Sequence, residues 1–245
     1  MTELYDNLIS RQIEIFDEKQ QDILKNSKIC VVGCGGRGGT VIEQLIRVGF
    51  ENITVVDCDV FDETNLNRQI RSNTATIGKQ KVEVVKEESI KINPNLNMTT
   101  HNVVIDEENI SSLINSNDLL IDAVDNVYTR VLMSRACQSL DIPLVHAAIE
   151  KTQGQLTVIT PDGPNYEELF RLKSASKNLD DDVVNYLKKI SSKKPQVLGI
   201  TASIFASLEV NEAIKYLLNL DDVVLAPKVL SWDIFDLSSY RIIEF

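Results

Sequence analysis

The chain alternates short, unbroken apolar runs with longer stretches in which apolar residues return every three or four positions. KICVVG, starting at Lys28, has the length and β-branched content of a strand covered on both faces. Glycines follow it directly, and TVIEQLIRVG then carries a helical period to Gly49, a residue suited to a helix C-cap. NITVVD predicts a second buried strand, GKQKVEVVKEESIKI a helix stopped by Asn93 and Pro94, and NMTTHNVVI a third strand. DLLIDAVD, NVYTRVLMSRACQSL and IPLVHAAI continue as strand, helix and strand. Ahead of them Leu8, Ile9, Ile13, Phe16 and Leu24 fall at loosely helical intervals, which predicts one or two short amphipathic helices.

Strands alternating with helices of this length imply right-handed crossovers and a parallel sheet covered on both faces. The expected fold class is α/β, a doubly wound Rossmann-like sheet, mostly parallel. The pattern changes after residue 150. GQLTVITPDGP reads as a strand leaving the repeat, and KSASKNLDDDVVNYLKKISSKKPQ as a mobile polar crossing segment around one short helix. ITASIFASLEVNEAIKYLL reads as a helix apolar over most of its surface, and KVLSWDIF and SYRIIEF as strands of an antiparallel C-terminal extension, with Trp232 in the core. We expect one domain over residues 1–245: an N-terminal helical arm at 1–27, a nucleotide-binding half at 28–150, and a crossing segment with a substrate-side half at 151–245.

Composition narrows function more than fold. The 245 residues are 43% hydrophobic and 25% charged, a globular balance. A net charge of −11 argues against broad contact with nucleic-acid backbones, so any anion site must be local. No run approaches the roughly 18 to 20 apolar residues of a membrane span, and the N-terminus lacks a signal-peptide core, so a cytoplasmic protein without membrane contact is expected. Cys30, Cys34, Cys58 and Cys137 form no CxxC pair and read as reduced thiols without metal; Cys34 is assigned to packing. His101 and His146 have no partner at ligand spacing and are assigned structural or surface roles.

Gly33, Gly35 and Gly38 show the G-x-G-x-x-G spacing between a strand and a helix, and Asp57 ends the second strand 22 residues after Gly35, where a carboxylate accepts from ribose hydroxyls. These residues indicate an adenine nucleotide, for which NAD and a dehydrogenase are the commoner answer. Asn65, Arg68, Gln69 and Lys81 follow, and two cations there suit a leaving pyrophosphate whose charge grows in the transition state. Taken singly, Arg68 and Lys81 also read as solvated surface charges. Asp125, assigned to the end of the fourth strand, can hold Mg2+ opposite phosphates or cap the following helix.

The glycine loop, DCDVFDETNLNRQ, IGKQKVE, DAVDN, TQGQLTV, GPNYEELF and LGITASIFASLEVNEAIKYLL occur in the order seen in ThiF/MoeB-type adenylyltransferases, the superfamily of ubiquitin-activating enzymes, and the chain resembles that family from Arg11 onward. The resemblance implies a homodimer that binds MgATP and a carboxylate, forming an acyl adenylate with release of pyrophosphate. It implies Gly33, Gly35, Gly36 and Gly38 as the nucleotide loop, Asp57 on the ribose, Asn65, Arg68, Gln69 and Lys81 around the triphosphate, and Asp125 on Mg2+. Arg11, in SRQIEIF, resembles the arginine that reaches into the partner's site, and with Arg68, Lys81 and Asp125 makes up the expected catalytic set.

The departures are informative. Many members carry zinc-binding cysteines where this chain has Asn165 and Glu168, so no zinc is expected. Residues 171–196 contain no cysteine, which excludes a thioester or persulfide in that segment. The substrate implied is the C-terminal glycine of a ubiquitin-like sulfur carrier or a small cofactor-precursor carboxylate, such as the pyridinol of the iron-hydrogenase cofactor. Alternatives are an NAD(P)-dependent oxidoreductase, a dehydratase acting on threonylcarbamoyladenosine in tRNA, disfavoured by the charge, and a non-catalytic nucleotide-binding paralogue. Arg37 stands where relatives carry an apolar or small residue. It is expected either to face solvent or the dimer partner, or to meet a phosphate.

Overall fold

A computed structural model describes residues 3–192 and 195–245. The first two residues of the expected arm, and residues 193–194 of the crossing segment, lie outside the described residues. Two helices open the chain, α1 (Glu3–Ile9) and α2 (Glu18–Asn26). A capping box starts α2: Asp17 accepts from the Gln20 amide, and the Gln20 side chain accepts from the Asp17 amide. The arm is tied to the body through Tyr5, whose hydroxyl donates to the Gly49 carbonyl at 3.0 Å.

The alternation then runs β1 (Lys28–Val32), α3 (Gly38–Val48), β2 (Asn52–Val56), α4 (Lys81–Ile92), β3 (Asn97–His101), α5 (Ile110–Ile114), β4 (Leu119–Asp122), α6 (Val127–Leu140) and β5 (Leu144–Glu150). β6 (Gln153–Ile159), α7 (Tyr166–Leu169), α8 (Asp181–Ile190), α9 (Gly199–Leu217), β7 (Lys228–Asp233) and β8 (Asp236–Glu244) follow. One sheet holds all eight strands in the order 3-2-1-4-5-6-7-8; strands 3-2-1-4-5 pair in parallel, and 5-6, 6-7 and 7-8 antiparallel. The expected doubly wound sheet with an antiparallel extension is the fold observed.

Alternation along the strands divides the core. Ile29 and Val31 of β1 face one apolar layer with Val41 and Leu45 of α3 and Phe205 of α9, whereas Cys30 and Val32 face the other with Val131 and Met133 of α6 and Leu187 of α8. The third strand stops at His101 instead of running through NVVI. β3 is an edge strand paired only with β2, and its last register partner is Val56, where β2 ends. No described helix is long and apolar enough to cross a membrane.

Candidate active site

The strand order reverses between β1 and β4, and the crevice at their carboxyl ends is where a doubly wound sheet receives a ligand. The glycine loop leaves β1 there. Gly33 has a φ of +99°, and a Cβ on it would lie 2.7 Å from the Ala123 carbonyl oxygen. A Cβ on Gly38 would lie 1.8 Å from the Gly33 oxygen, so the start of α3 is packed directly on the turn. At Gly35 the nearest atom is Gln69 Nε2 at 3.8 Å, which leaves the middle of the loop open for a phosphate. No side chain caps the first turn of α3, so its amides are available to an anion.

Asp57 follows β2 and braces this loop: one carboxylate oxygen accepts from the Cys34 amide at 2.5 Å and the other from the Asp59 amide at 2.8 Å. Burial raises its pKa, against the pull of Lys81 and the two amides. Cys34 is fully buried and its pKa is raised by desolvation, in keeping with a packing role.

A short 3-10 turn, Glu63–Asn65, is started by Asp62 and closed by Asn65, whose side chain accepts from the Asp62 amide. Arg68 is half-buried and donates to the Thr64 carbonyl at 2.7 Å and to Asn67 Oδ1 at 2.8 Å. Gln69 is buried, and its Oε1 has no hydrogen-bond partner among the described residues. Lys81 is the first residue of α4, 5% exposed, and donates to Asp59 Oδ2 at 2.9 Å. It is therefore not a solvated surface charge, and it stands where a cation opposes the helix dipole. Asp59 was not singled out in the sequence; its signal is the second acid of the DCD that ends the strand.

β4 ends at Asp122, and Asp125 lies three residues beyond it in the loop, exposed. The helix cap falls to Asn126, whose Oδ1 accepts from the Thr129 amide at 2.9 Å. Asp125 is thus spared the capping role and faces a pocket of about 770 Å³, a volume in the range of nucleotide sites. That pocket brings together every residue assigned to the nucleotide except Gly38, which lies beneath the loop, and it does not include Arg11, which is exposed between α1 and α2. Its far end is formed by Glu150, Gln153, Gln155 and Ser231, and one side by Ile190, Pro195 and Val197. Asp125 supplies a free carboxylate opposite the loop, the donor Mg2+ takes together with phosphate oxygens. The ligand atoms of Asp57, Cys58 and Asp59 also lie within 4.8 Å of one another, but Asp57 is engaged by amides and Asp59 by Lys81.

Arg37 overturns the expectation that it faces solvent. It lines the pocket, but its side chain is only 4% exposed and its guanidinium is engaged in an ion cluster beneath the loop. There it meets Glu209, and Asp122 meets Arg130 at 2.9 Å and His146 Nδ1 at 2.6 Å. Burial raises the pKa of Asp122, but Arg130, His146 and Arg37 together outweigh it, and the group titrates well below the usual carboxylate range. Burial lowers His146 to about 4, leaving a neutral, structural ring. Burial raises the pKa of Glu209, and the Arg37 guanidinium pulls it back. The one sequence clue was the placing of acids, Glu209 and Glu212, in a helix that is apolar over most of its surface.

Asn165 and Glu168 close a capping box on α7: Asn165 Oδ1 accepts from the Glu167 and Glu168 amides at 3.0 Å, and Glu168 accepts from the Asn165 amide at 3.0 Å. Trp232 is half-buried and packs against the core rather than within it.

The chain matches the ThiF family over residues 9–244. It is 32% identical over 232 residues to the SAMP-activating enzyme E1 of Haloferax volcanii, covering 94% of this chain and 82% of that one. It is 33% identical over 212 residues to the molybdopterin-synthase adenylyltransferase of Escherichia coli K12, covering 85% and 80%. Among solved structures, Escherichia coli MccB with ATP superposes with a TM-score of 0.81 at 22% identity, over 100% of this chain and 74% of that one, a likeness of fold.

Proposed function

The chain belongs to the ThiF family, and from that premise we propose that it is an adenylyltransferase that activates a carboxylate with ATP. The substrate carboxylate attacks the α-phosphorus, the bond to the β-phosphate bridge breaks, and an acyl adenylate and pyrophosphate result. The observation that carries this reading is the convergence, at one crevice, of an open glycine loop, a buried cation at Lys81 and a free carboxylate at Asp125. No general base is needed, because a carboxylate is ionised and nucleophilic near neutral pH. The work left to the protein is alignment and charge neutralisation.

The loop amides take the phosphates, Asp57 the ribose, and Asn65, Arg68, Gln69 and Lys81 the triphosphate. Asp125 would hold Mg2+, which supplies charge neutralisation at the phosphate oxygens. The substrate is a small cofactor-precursor carboxylate or the C-terminal glycine of a ubiquitin-like carrier, reaching the far end of the pocket. Without a cysteine in residues 171–196, the adenylate passes to an outside nucleophile and not to an enzyme thioester in that segment. The reading includes no structural zinc and places the enzyme in the cytoplasm.

The test is ATP–pyrophosphate exchange measured against a panel of small carboxylates and glycine-ended carrier tails. We expect carboxylate-dependent exchange. ATP binding with no exchange throughout the panel would identify a binding protein without turnover, and tighter binding of NAD than of ATP would identify an oxidoreductase.

Arg11 has no place in its own chain's pocket, which supports a homodimer in which it serves the partner's site. Mixing Arg11→Ala with Asp125→Ala protein is then expected to restore part of the exchange activity each has lost, since one site in the mixed dimer is complete. A mixture as inactive as its components would remove Arg11 from the site.

A further inference from the structure

Arg37 joins two walls of the pocket that are distant in the chain to a helix packed behind them. Its backbone occupies the N-cap position of α3, inside the glycine loop. Its guanidinium donates to the Asp122 carbonyl at 2.6 Å and the Val124 carbonyl at 3.0 Å, along the stretch that leads to Asp125. It also donates to Glu209 Oε1, which is fully buried in α9. α9 touches the same loop a second time, since a Cβ on Gly36 would lie 3.5 Å from the Ala202 Cβ. The helix takes up the chain directly after Pro195 and Val197, which line the pocket.

A buried ion pair is a poor source of stability. Exchanging one for well-packed apolar residues is often neutral or stabilising, whereas removing one partner strands a charge. Glu209 is a costly residue to bury, because its Oε2 has no hydrogen-bond partner among the described residues. What the pair offers that an apolar contact lacks is direction. A planar arginine fork that meets two carbonyls and a carboxylate fixes the angle and the distance of everything attached to it.

We propose that the ion pair of Arg37 and Glu209 positions the nucleotide loop, holding residues 35–38, the turn before Asp125 and α9 in one register so that the loop amides face the phosphates. The pair acts through the loop and does not touch the nucleotide. The inference rests on the reading of the pocket as an ATP site, but loop rigidity can be measured without any nucleotide.

The decisive variant is Arg37→Leu/Glu209→Leu, which removes both charges and strands neither. Its unfolding temperature is expected to stay near that of the wild type. Hydrogen exchange of the amides of residues 34–39, measured on the nucleotide-free protein, is expected to accelerate about tenfold, and the dissociation constant for ATP to rise by about the same factor. A folded double variant with wild-type loop exchange, or with wild-type ATP affinity, would overturn the proposal. Should that variant fail to fold, Arg37→Lys keeps the charge without the fork, and wild-type loop exchange and ATP affinity there would overturn it equally. A wild-type protein that binds no ATP would count against the adenylylation reading, and loop exchange alone would then judge the positioning role.

Discussion

Lys81→Ala protein is expected to keep its fold and to lose carboxylate-dependent ATP–pyrophosphate exchange by a factor of about 10² to 10³, the usual effect of removing one preorganised charge-stabilising donor. Lys81 is buried at the head of α4, in the half of the pocket that faces the glycine loop. Among the described residues its hydrogen-bonded partner is Asp59, whose side chain is 66% exposed. Deleting the lysine leaves Asp59 hydrated and takes one favourable charge from Asp57, which keeps its two amide donors, so the change in stability should be about 1 kcal/mol. Loss of exchange with an unchanged unfolding temperature would place the ammonium on the pyrophosphate in the transition state. Exchange within a few-fold of the wild type would show that Lys81 is only the mate of Asp59.

The second large effect separates two glycines that look alike in the motif. Gly38→Ala puts a methyl carbon 1.8 Å from the Gly33 oxygen and 3.1 Å from the Ala123 Cβ, so the turn after β1 and the start of α3 must part. Overpacking of this kind, against backbone that cannot rotate away, is expected to cost about 3 kcal/mol. For a chain of this size that is a fall of roughly 6 to 12 °C in unfolding temperature. Gly35→Ala meets nothing closer than 3.8 Å and should unfold like the wild type. Its methyl instead enters the space assigned to a phosphate, so ATP affinity should fall by about tenfold or more. Calorimetry and ATP titration of the pair would check both halves. A Gly35→Ala protein with unchanged ATP affinity would mean that the phosphates lie elsewhere.

What could be read from the sequence is what local spacing dictates. A strand, three glycines at fixed offsets and an acid at the end of the next strand describe a backbone shape, and the structure places Gly33, Gly35 and Asp57 accordingly. The same holds for Lys81, although the turn before it is pinned by backbone bonds across some twenty residues, from Lys81 to Asp59 and from Phe61 to Lys79. The features that escaped depend on residues brought together from far apart. Nothing near Arg37 in the chain announces Glu209, so a buried ion pair read as a surface charge or a phosphate ligand. The end of β3 was set by how far β2 extends, and neither strand encodes that limit by itself. Asp125 and Asn126 can both cap a helix, and only the observed start of α6 shows that Asn126 does so.

The distance between Arg37 and its acid also has a meaning in time. The two lie 172 residues apart in the chain. At a synthesis rate of about 5 to 20 residues per second, a nascent chain carries the arginine for roughly 10 to 30 seconds before the glutamate is made. Once synthesis has passed Asp125, the glycine loop has its turn, its strand and its helix, but the acid that receives Arg37 does not yet exist. A chain released early would hold every residue of the nucleotide motif and still lack the helix that sets it in place, so the first part of the site to be translated is the last to be finished.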